Sequence, residues 1–150
     1  MENNLKFNSA ICTSRSQSGR LLSLGLKKET ADMCWMYGEV LSCNPPELAV
    51  DIPAWSLGRL VEMTPNSIHN KRILAYLTIM NDRVLYDTIK NETYSAFTNK
   101  NGLFAAVVDA IEWLIKEGYF NKEYLVNQAE IEEHCKGVLE YLDYIRGEEE

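Results

Sequence analysis

The chain has 150 residues, of which 46% are hydrophobic and 25% charged. These proportions are typical of a globular domain, and they exclude a disordered chain, a collagen-like repeat and a disulfide-dense small scaffold. No apolar run approaches the roughly 18 residues that span a bilayer, and the first residues lack the pattern of a secretory signal, so we expect a cytoplasmic protein with no membrane partner.

The first predicted element is a short helix over residues 14–24. Ser14 and Gln17 have the spacing of a capping box, in which each side chain bonds to a backbone N–H group of the first turn. Gly25 can adopt the left-handed conformation that ends a helix, and Leu26 would then fold back on Leu21.

A strand region and a second helix follow. Residues 33–43 are rich in aromatic and apolar side chains of the strand type, with Gly38 at a turn or bulge. The prolines in residues 44–46 end this region. Ser56 is the expected N-cap of the second helix, which Thr64-Pro65 ends.

Residues 72–98 predict a three-stranded antiparallel meander. Its strands are residues 73–80, 84–90 and 93–98, joined by loops too short for parallel connections. The middle strand carries apolar side chains on both faces, so we expect helices to cover one face and to leave the other partly open. His69 precedes the meander in a polar stretch and is expected in an exposed loop.

The strongest helical pattern covers residues 102–117, where apolar residues recur at intervals of three and one. Asn101 is its expected cap, and Gly118 its expected end, with Tyr119 placed against Leu114. The predicted class is therefore α+β, a three- to four-stranded antiparallel sheet packed by helices.

The remaining residues predict an extra C-terminal helix, and we divide the chain into a compact domain, 1–120, and an acidic helical extension, 121–150. Residues 117–150 hold ten acidic and three basic side chains, whereas residues 1–116 are balanced. Acidic charge repels phosphate backbones, so direct nucleic-acid binding is not expected. Apolar residues of the extension recur at heptad-like spacing, and this seam consists of Tyr124, Ile131, Cys135, Val138, Leu142 and Ile145, with Gln128 as a polar member.

Three blocks carry a resemblance to a known family. These are QSGRLLSLGL with TADM in residues 17–33, IPAWSL in residues 52–57, and the helix with its Gly-Tyr ending in residues 102–120. The chain thereby resembles a family of short uncharacterised proteins from phages and mobile elements of gut bacteria. The resemblance implies a phage or mobile-element origin and no known activity, and the acidic extension after Phe120 departs from the family pattern.

The sequence carries no catalytic motif of the common hydrolase, nucleotide-binding or metalloprotease types. The cysteines lack metal-ligand spacing and are expected to be reduced and mostly buried, so no catalytic residue, metal or cofactor is predicted. One small-ligand pocket is conceivable, since aromatic residues lie close in sequence to polar ones. Its residues are Asp32, Trp35, Tyr37, Trp55 and Ser56.

These observations favour a non-enzymatic interaction protein, whose C-terminal seam docks on a protein partner or on a second copy of the chain. Two alternatives stay open at this point. The first is an enzyme or small-ligand-binding protein that uses the pocket near Trp35 and Trp55. The second is an acidic protein that imitates nucleic acid.

Overall fold

The structure is a computed structural model that describes residues 10–127. Its first helix, α1, spans Arg15–Ser23 and has the predicted capping box, with the Ser14 and Gln17 side chains each bonded to the other's backbone N–H. Gly25 has a φ of 99°, and the Leu26 N–H donates to the Leu21 carbonyl at 3.1 Å. The prediction for residues 14–24 is therefore confirmed at both ends.

A small antiparallel sheet follows, with strand order β2-β1-β3. The predicted strand region 33–43 forms a hairpin of β1, Met33–Met36, and β2, Val40–Ser42. The third strand, β3, spans Ile52–Ala54 and was not predicted, because Pro53 interrupts the pattern. Pro53 fits there because β3 is at the edge of this sheet, where a missing N–H costs no ladder hydrogen bond.

Helix α2 spans Leu57–Met63, and the Ser56 side chain accepts a hydrogen bond from the Arg59 N–H, as predicted for its cap. The next strand, β4, spans Ser67–His69 and corrects the sequence prediction that placed His69 in a loop. Buried Ile68, flanked by two exposed residues, gives this strand its pattern. Three residues are too few for such a pattern to be recognised.

The second sheet has strand order β4-β5-β6-β7, and every pairing is antiparallel. Strands β5, Leu74–Ile79, β6, Arg83–Thr88, and β7, Thr93–Thr98, confirm the predicted meander. Helix α3 packs on one face against β6 and β7. The side chains of Leu74, Tyr76 and Thr78 on the other face are exposed, as expected.

Helix α3 spans Leu103–Glu117 and has Gly102, not Asn101, at its N-cap. Gly102 has a φ of 103°, which glycine adopts readily and asparagine rarely does. The helix therefore begins one residue later than predicted. At the other end Gly118 has a φ of 80°, and the Tyr119 N–H donates to the Leu114 carbonyl at 2.8 Å, as predicted.

The described part of the segment after α3, residues 121–127, is not the start of an α-helix. Lys122–Tyr124 form a 3₁₀ turn, and the chain then runs extended beside the end of α1. The Lys27 N–H donates to the Tyr124 carbonyl, and the Val126 N–H donates to the Gly25 carbonyl, both at 2.8 Å. Residues 121–127 therefore pack with the compact domain, because these two bonds and the partly buried Tyr124 fasten them there.

One main core joins α1, α2, α3 and the inner face of the second sheet, with a smaller cluster around Cys12, Met33 and Ala54. Its largest fully buried side chains include Trp55 and Tyr86. The architecture is α+β, with antiparallel sheets of three and four strands packed by helices. Within residues 10–127, no helix has the length and apolar character needed to cross a membrane.

Candidate functional site

The structure places the five residues of the predicted pocket in different environments. Trp55 is fully buried in the main core, where its Nε1 donates to Thr30 Oγ1 at 2.9 Å. Asp32 accepts hydrogen bonds from the Ser56 N–H at 2.9 Å and from the Ser56 hydroxyl at 2.5 Å. These three residues are thus committed to packing and to the start of α2, which contradicts a pocket formed around Trp55.

Trp35 connects the β1–β2 hairpin to α1. Its Nε1 donates to the Thr13 carbonyl at 3.3 Å, and the Arg15 guanidinium lies 5.8 Å from the centre of its ring. The same guanidinium donates to the Gly38 carbonyl at 3.1 Å, at the hairpin turn. The hairpin is therefore held against the body from both its strand and its tip.

Tyr37 lies at the hairpin turn and is 61% exposed. Its φ of 53° is unusual for a residue other than glycine, and Gly38 beside it has a φ of 73°. Positive φ at both central residues is the geometry that a tight hairpin turn requires, and it holds the Tyr37 side chain on the surface. Tyr37, one of the five predicted pocket residues, lines a cleft.

Asp51 organises this cleft and was missed by the sequence analysis. It is 5% exposed, and its two carboxylate oxygens accept hydrogen bonds from the N–H groups of Tyr37 at 3.0 Å, Glu47 at 3.1 Å and Leu48 at 2.9 Å. Burial by itself raises the pKa of Asp51, but the three N–H donors outweigh burial and hold the pKa below its ordinary value. The carboxylate therefore stays ionised and pins the loop 43–50 to the hairpin.

The cleft has a volume of about 180 Å³. Its lining includes the polar residues Asp51 and Ser42, the thiol of Cys34, and the apolar residues Met36, Tyr37, Pro45 and Leu48. A second depression of about 170 Å³ adjoins it and shares Pro45, Glu47 and Leu48. Pockets for small molecules usually measure about 300–1,000 Å³, so a cleft of this size accommodates one side chain more readily than a metabolite.

Large exposed apolar side chains lie at the cleft and beside it, and we call them the hairpin surface. Met36, Tyr37 and Leu48 line the cleft, Val40 is paired with Met36 across the hairpin, and Val50 precedes Asp51. Its members are Met36, 38% exposed, Tyr37, 61%, Val40, 57%, Leu48, 51%, and Val50, 48%. Single exposed apolar residues are common on proteins, but several at and beside one cleft indicate an interaction site. The sequence alone could not predict that these residues share one surface, because the loop 43–50 meets the hairpin through the hydrogen bond of Asp51 to Tyr37, which is 14 residues away in the chain.

Of the cysteines within residues 10–127, Cys12 and Cys34 are buried, as predicted, and Cys43 is exposed. The two buried thiols are not activated for nucleophilic chemistry. Burial, followed by the charge of Asp51, raises the pKa of Cys34, and burial followed by the charge of Asp32 raises that of Cys12. A raised pKa keeps both sulfurs protonated at neutral pH, and the thiol is a poor nucleophile and metal ligand. Residues 10–127 contain no group of three His, Cys, Asp or Glu side chains arranged to hold a metal ion.

The predicted seam falls mostly outside the described residues. Tyr124, its first member, lies in the 3₁₀ turn, and its ring is 6.0 Å from that of Phe120. The chain is extended after this turn, where Val126 bonds to the Gly25 carbonyl at the end of α1. Ile131, Cys135, Val138, Leu142 and Ile145 lie beyond the part of the chain that the structure describes.

Comparisons with known proteins give no match: no protein-family model, no curated protein and no solved structure is significantly similar to this chain.

Proposed function

We propose that this chain is a non-enzymatic protein-interaction module that binds a segment of a partner protein at the hairpin surface. The observation that carries the proposal is the set of exposed apolar side chains at and beside a cleft of about 180 Å³. The cleft is preformed, because Asp51 and Arg15 fix its loop and its turn through hydrogen bonds. Preformed sites lose less conformational entropy on binding than flexible ones.

The chemistry of the surface specifies the partner's chemistry. An apolar side chain, such as leucine or phenylalanine, would fill the cleft as an anchor, in the manner of interface hot spots. The exposed side chain of Glu39 lies at the hairpin, and that of Glu47 at the rim of the cleft. A basic residue beside the anchor would complement these charges and would favour the correct partner.

The acidic C-terminal segment is the second docking element of this proposal. Its heptad-like seam offers apolar contacts, and its acidic residues complement the same kind of basic partner. The origin in a phage or mobile element stays a prediction from the sequence blocks.

Site-specific cross-linking tests the hairpin surface. A photoreactive phenylalanine derivative at Val40 should give a discrete cross-linked product in the native host, and Leu48→Asp should abolish that product. The matched control carries the derivative at Thr78, which is also exposed but lies on the second sheet. Equal products at both positions, or a product insensitive to Leu48→Asp, would refute binding at the hairpin surface.

A pair of variants tests the seam. Leu142→Asp places a charge on the predicted seam, whereas Tyr144→Asp adds the same charge two residues away and off the seam. Against the partner identified by cross-linking, we expect Leu142→Asp to raise the dissociation constant at least about tenfold and Tyr144→Asp to have little effect. Equal effects of the two substitutions would contradict docking through the seam.

A further inference from the structure

The outer edge of the second sheet is a surface separate from the hairpin surface. Strand β7, Thr93–Thr98, pairs with β6 and, within residues 10–127, with no other strand. Its sequence, TYSAFT, holds no charged residue and no proline. Proteins usually protect an exposed edge with lysine, proline, a β-bulge, a short strand or a covering segment, since an open edge is a template for pairing. Of these, β7 has a register shift at Tyr94, near its start, whereas its residues from Ser95 to Thr98 pair regularly with β6.

The hydrogen-bond pattern shows which backbone groups of β7 point away from β6. The Met80 N–H donates to the Arg83 carbonyl, so Met80 and Arg83 are a hydrogen-bonded residue pair at the turn of the β5–β6 hairpin. Because bonding alternates along a strand, Val84 and Tyr86 direct their backbone groups toward β7, where they face Phe97 and Ser95.

Thr88 confirms this alternation, since its N–H donates to the Glu92 carbonyl at 2.9 Å. Phe97 and Ser95 therefore use their N–H and C=O groups within the sheet. Ala96 and Thr98, between and beyond them, direct theirs outward. Both residues are exposed.

We propose that β7 pairs with β7 of a second copy of this chain, in antiparallel orientation about a two-fold axis. In the register that places Ala96 of one copy opposite Ala96 of the other, the two alanines exchange two hydrogen bonds, and the outward groups of Thr98 face Tyr94 of the other copy. The two four-stranded sheets would then join into one continuous sheet across the axis. The small side chains of Ala96 and Thr98 on the open face leave room for the copy beside them.

Charge at the two ends of β7 supports a second copy as the occupant. Glu92 precedes the strand and Lys100 follows it, and both side chains are exposed. Neither forms an ion pair with another residue in the described part of the chain. Antiparallel pairing brings Glu92 of each copy beside Lys100 of the other, so the edge is complementary to itself.

Analytical ultracentrifugation of the full chain tests this proposal, with Ala96→Pro as the main variant. Proline removes an outward N–H, which a monomer tolerates at an edge, and leaves the β6–β7 bonds in place. It removes two hydrogen bonds per dimer, so the dimer dissociation constant should rise about tenfold to a hundredfold. The control Thr78→Lys adds charge to the same open face away from the edge and should leave the constant unchanged.

Charge exchange tests the orientation of the two copies. Glu92→Lys alone should weaken the dimer about threefold to tenfold, and adding Lys100→Glu to the same chain should restore it. Ala96→Lys serves in place of Ala96→Pro if circular dichroism shows that the proline variant does not fold.

A monomer at every concentration up to about 1 mM would overturn the proposal. A dimer that survives Ala96→Pro and dissociates with Leu142→Asp would overturn it as well, and would assign self-association to the seam. Loss of the β7 dimer with intact partner cross-linking at Val40 would support the edge pairing and leave the proposed function standing.

Discussion

Replacing buried Asp51 with alanine is expected to destabilise the domain, because the carboxylate is the acceptor of three backbone N–H groups. The substitution leaves the N–H groups of Tyr37, Glu47 and Leu48 without their acceptor. A hydrogen bond to a charged group contributes about 1.5–3 kcal/mol, but a loop that loses its anchor opens and lets water satisfy part of its N–H groups. We therefore expect a loss of about 3 kcal/mol in the free energy of unfolding, well below the sum of three such bonds.

Asp51→Asn should lose less, because the side chain keeps one oxygen acceptor. One carboxylate oxygen accepts from Tyr37, and the other accepts from both Glu47 and Leu48. In asparagine an NH₂ group replaces one of these two oxygens, and an NH₂ group cannot accept a hydrogen bond from a backbone N–H. The amide oxygen would therefore accept either from Tyr37 or from Glu47 and Leu48, but not from both sides. The expected loss is about 1.5–2 kcal/mol, between that of alanine and that of the unchanged chain.

The contribution of Asp51 must also depend on pH in a defined direction. Its pKa in the folded chain lies below the ordinary value of 3.8. The unfolded chain therefore binds the proton more readily, and the stabilisation is present above that ordinary value and disappears as the pH falls through the folded-state pKa. The difference between the unchanged chain and Asp51→Asn should stay constant above about pH 5 and shrink as the pH falls below about 4.

Thermal and urea unfolding of the full chain measure these effects. A loss of about 3 kcal/mol corresponds to a fall of roughly 6–12 °C in the melting temperature for a chain of this size. Asp82→Asn is the control, because Asp82 is exposed and bonds to the neighbouring Arg83 side chain, and it should leave the melting temperature unchanged. If Asp51→Ala matched this control, the hydrogen-bonded carboxylate would not organise the loop, and the preformed cleft would lose its basis.

Three further predictions concern the body of the fold. Thr13→Val should lower the free energy of unfolding by about 2–3 kcal/mol, since the buried Thr13 hydroxyl accepts a hydrogen bond from the backbone N–H of Trp55 at 3.1 Å. A loss below about 0.5 kcal/mol would show that this bond is dispensable. Gly118→Ala should cost about 1 kcal/mol from its φ of 80° alone, because no atom lies within 4 Å of an added Cβ; an unchanged midpoint would contradict the left-handed cap. A chain ending at Phe120 should melt lower than one ending at Asn127, because the shorter chain lacks the segment that bonds to the end of α1, and equal melting temperatures would place the domain boundary at 120 after all.

The sequence predicted the parts of the fold that are specified by local chemistry. The ends of α1 depend on a capping box and a glycine within twelve residues, and the meander depends on alternation and short loops. β3 and β4 escaped prediction because each has three residues, one with a proline at its centre. Strands this short exist through their neighbours and have almost no pattern of their own.

The candidate site could not be predicted for a different physical reason. Trp55 and Tyr37 are both aromatic and both close in sequence to polar residues, yet one is fully buried and the other is 61% exposed. Their environments differ because Thr13 and Thr30 bond to Trp55 from distant segments, whereas Asp51 holds the Tyr37 backbone at a turn. Local composition contains no information about such partners.

The short strand β4 also determines which edge of the second sheet is open. Without β4, β5 and β7 would both be six-residue edges, and the sheet would offer two sites for pairing. Strand β4 covers β5, so the edge on that side is only three residues long. One residue, Asn66, separates β4 from Pro65, so this short edge also lies close to a proline. These are features that limit edge-to-edge association, and they are absent from β7. The asymmetry between the two edges is thus the structural reason to expect self-pairing at β7 and not at β4.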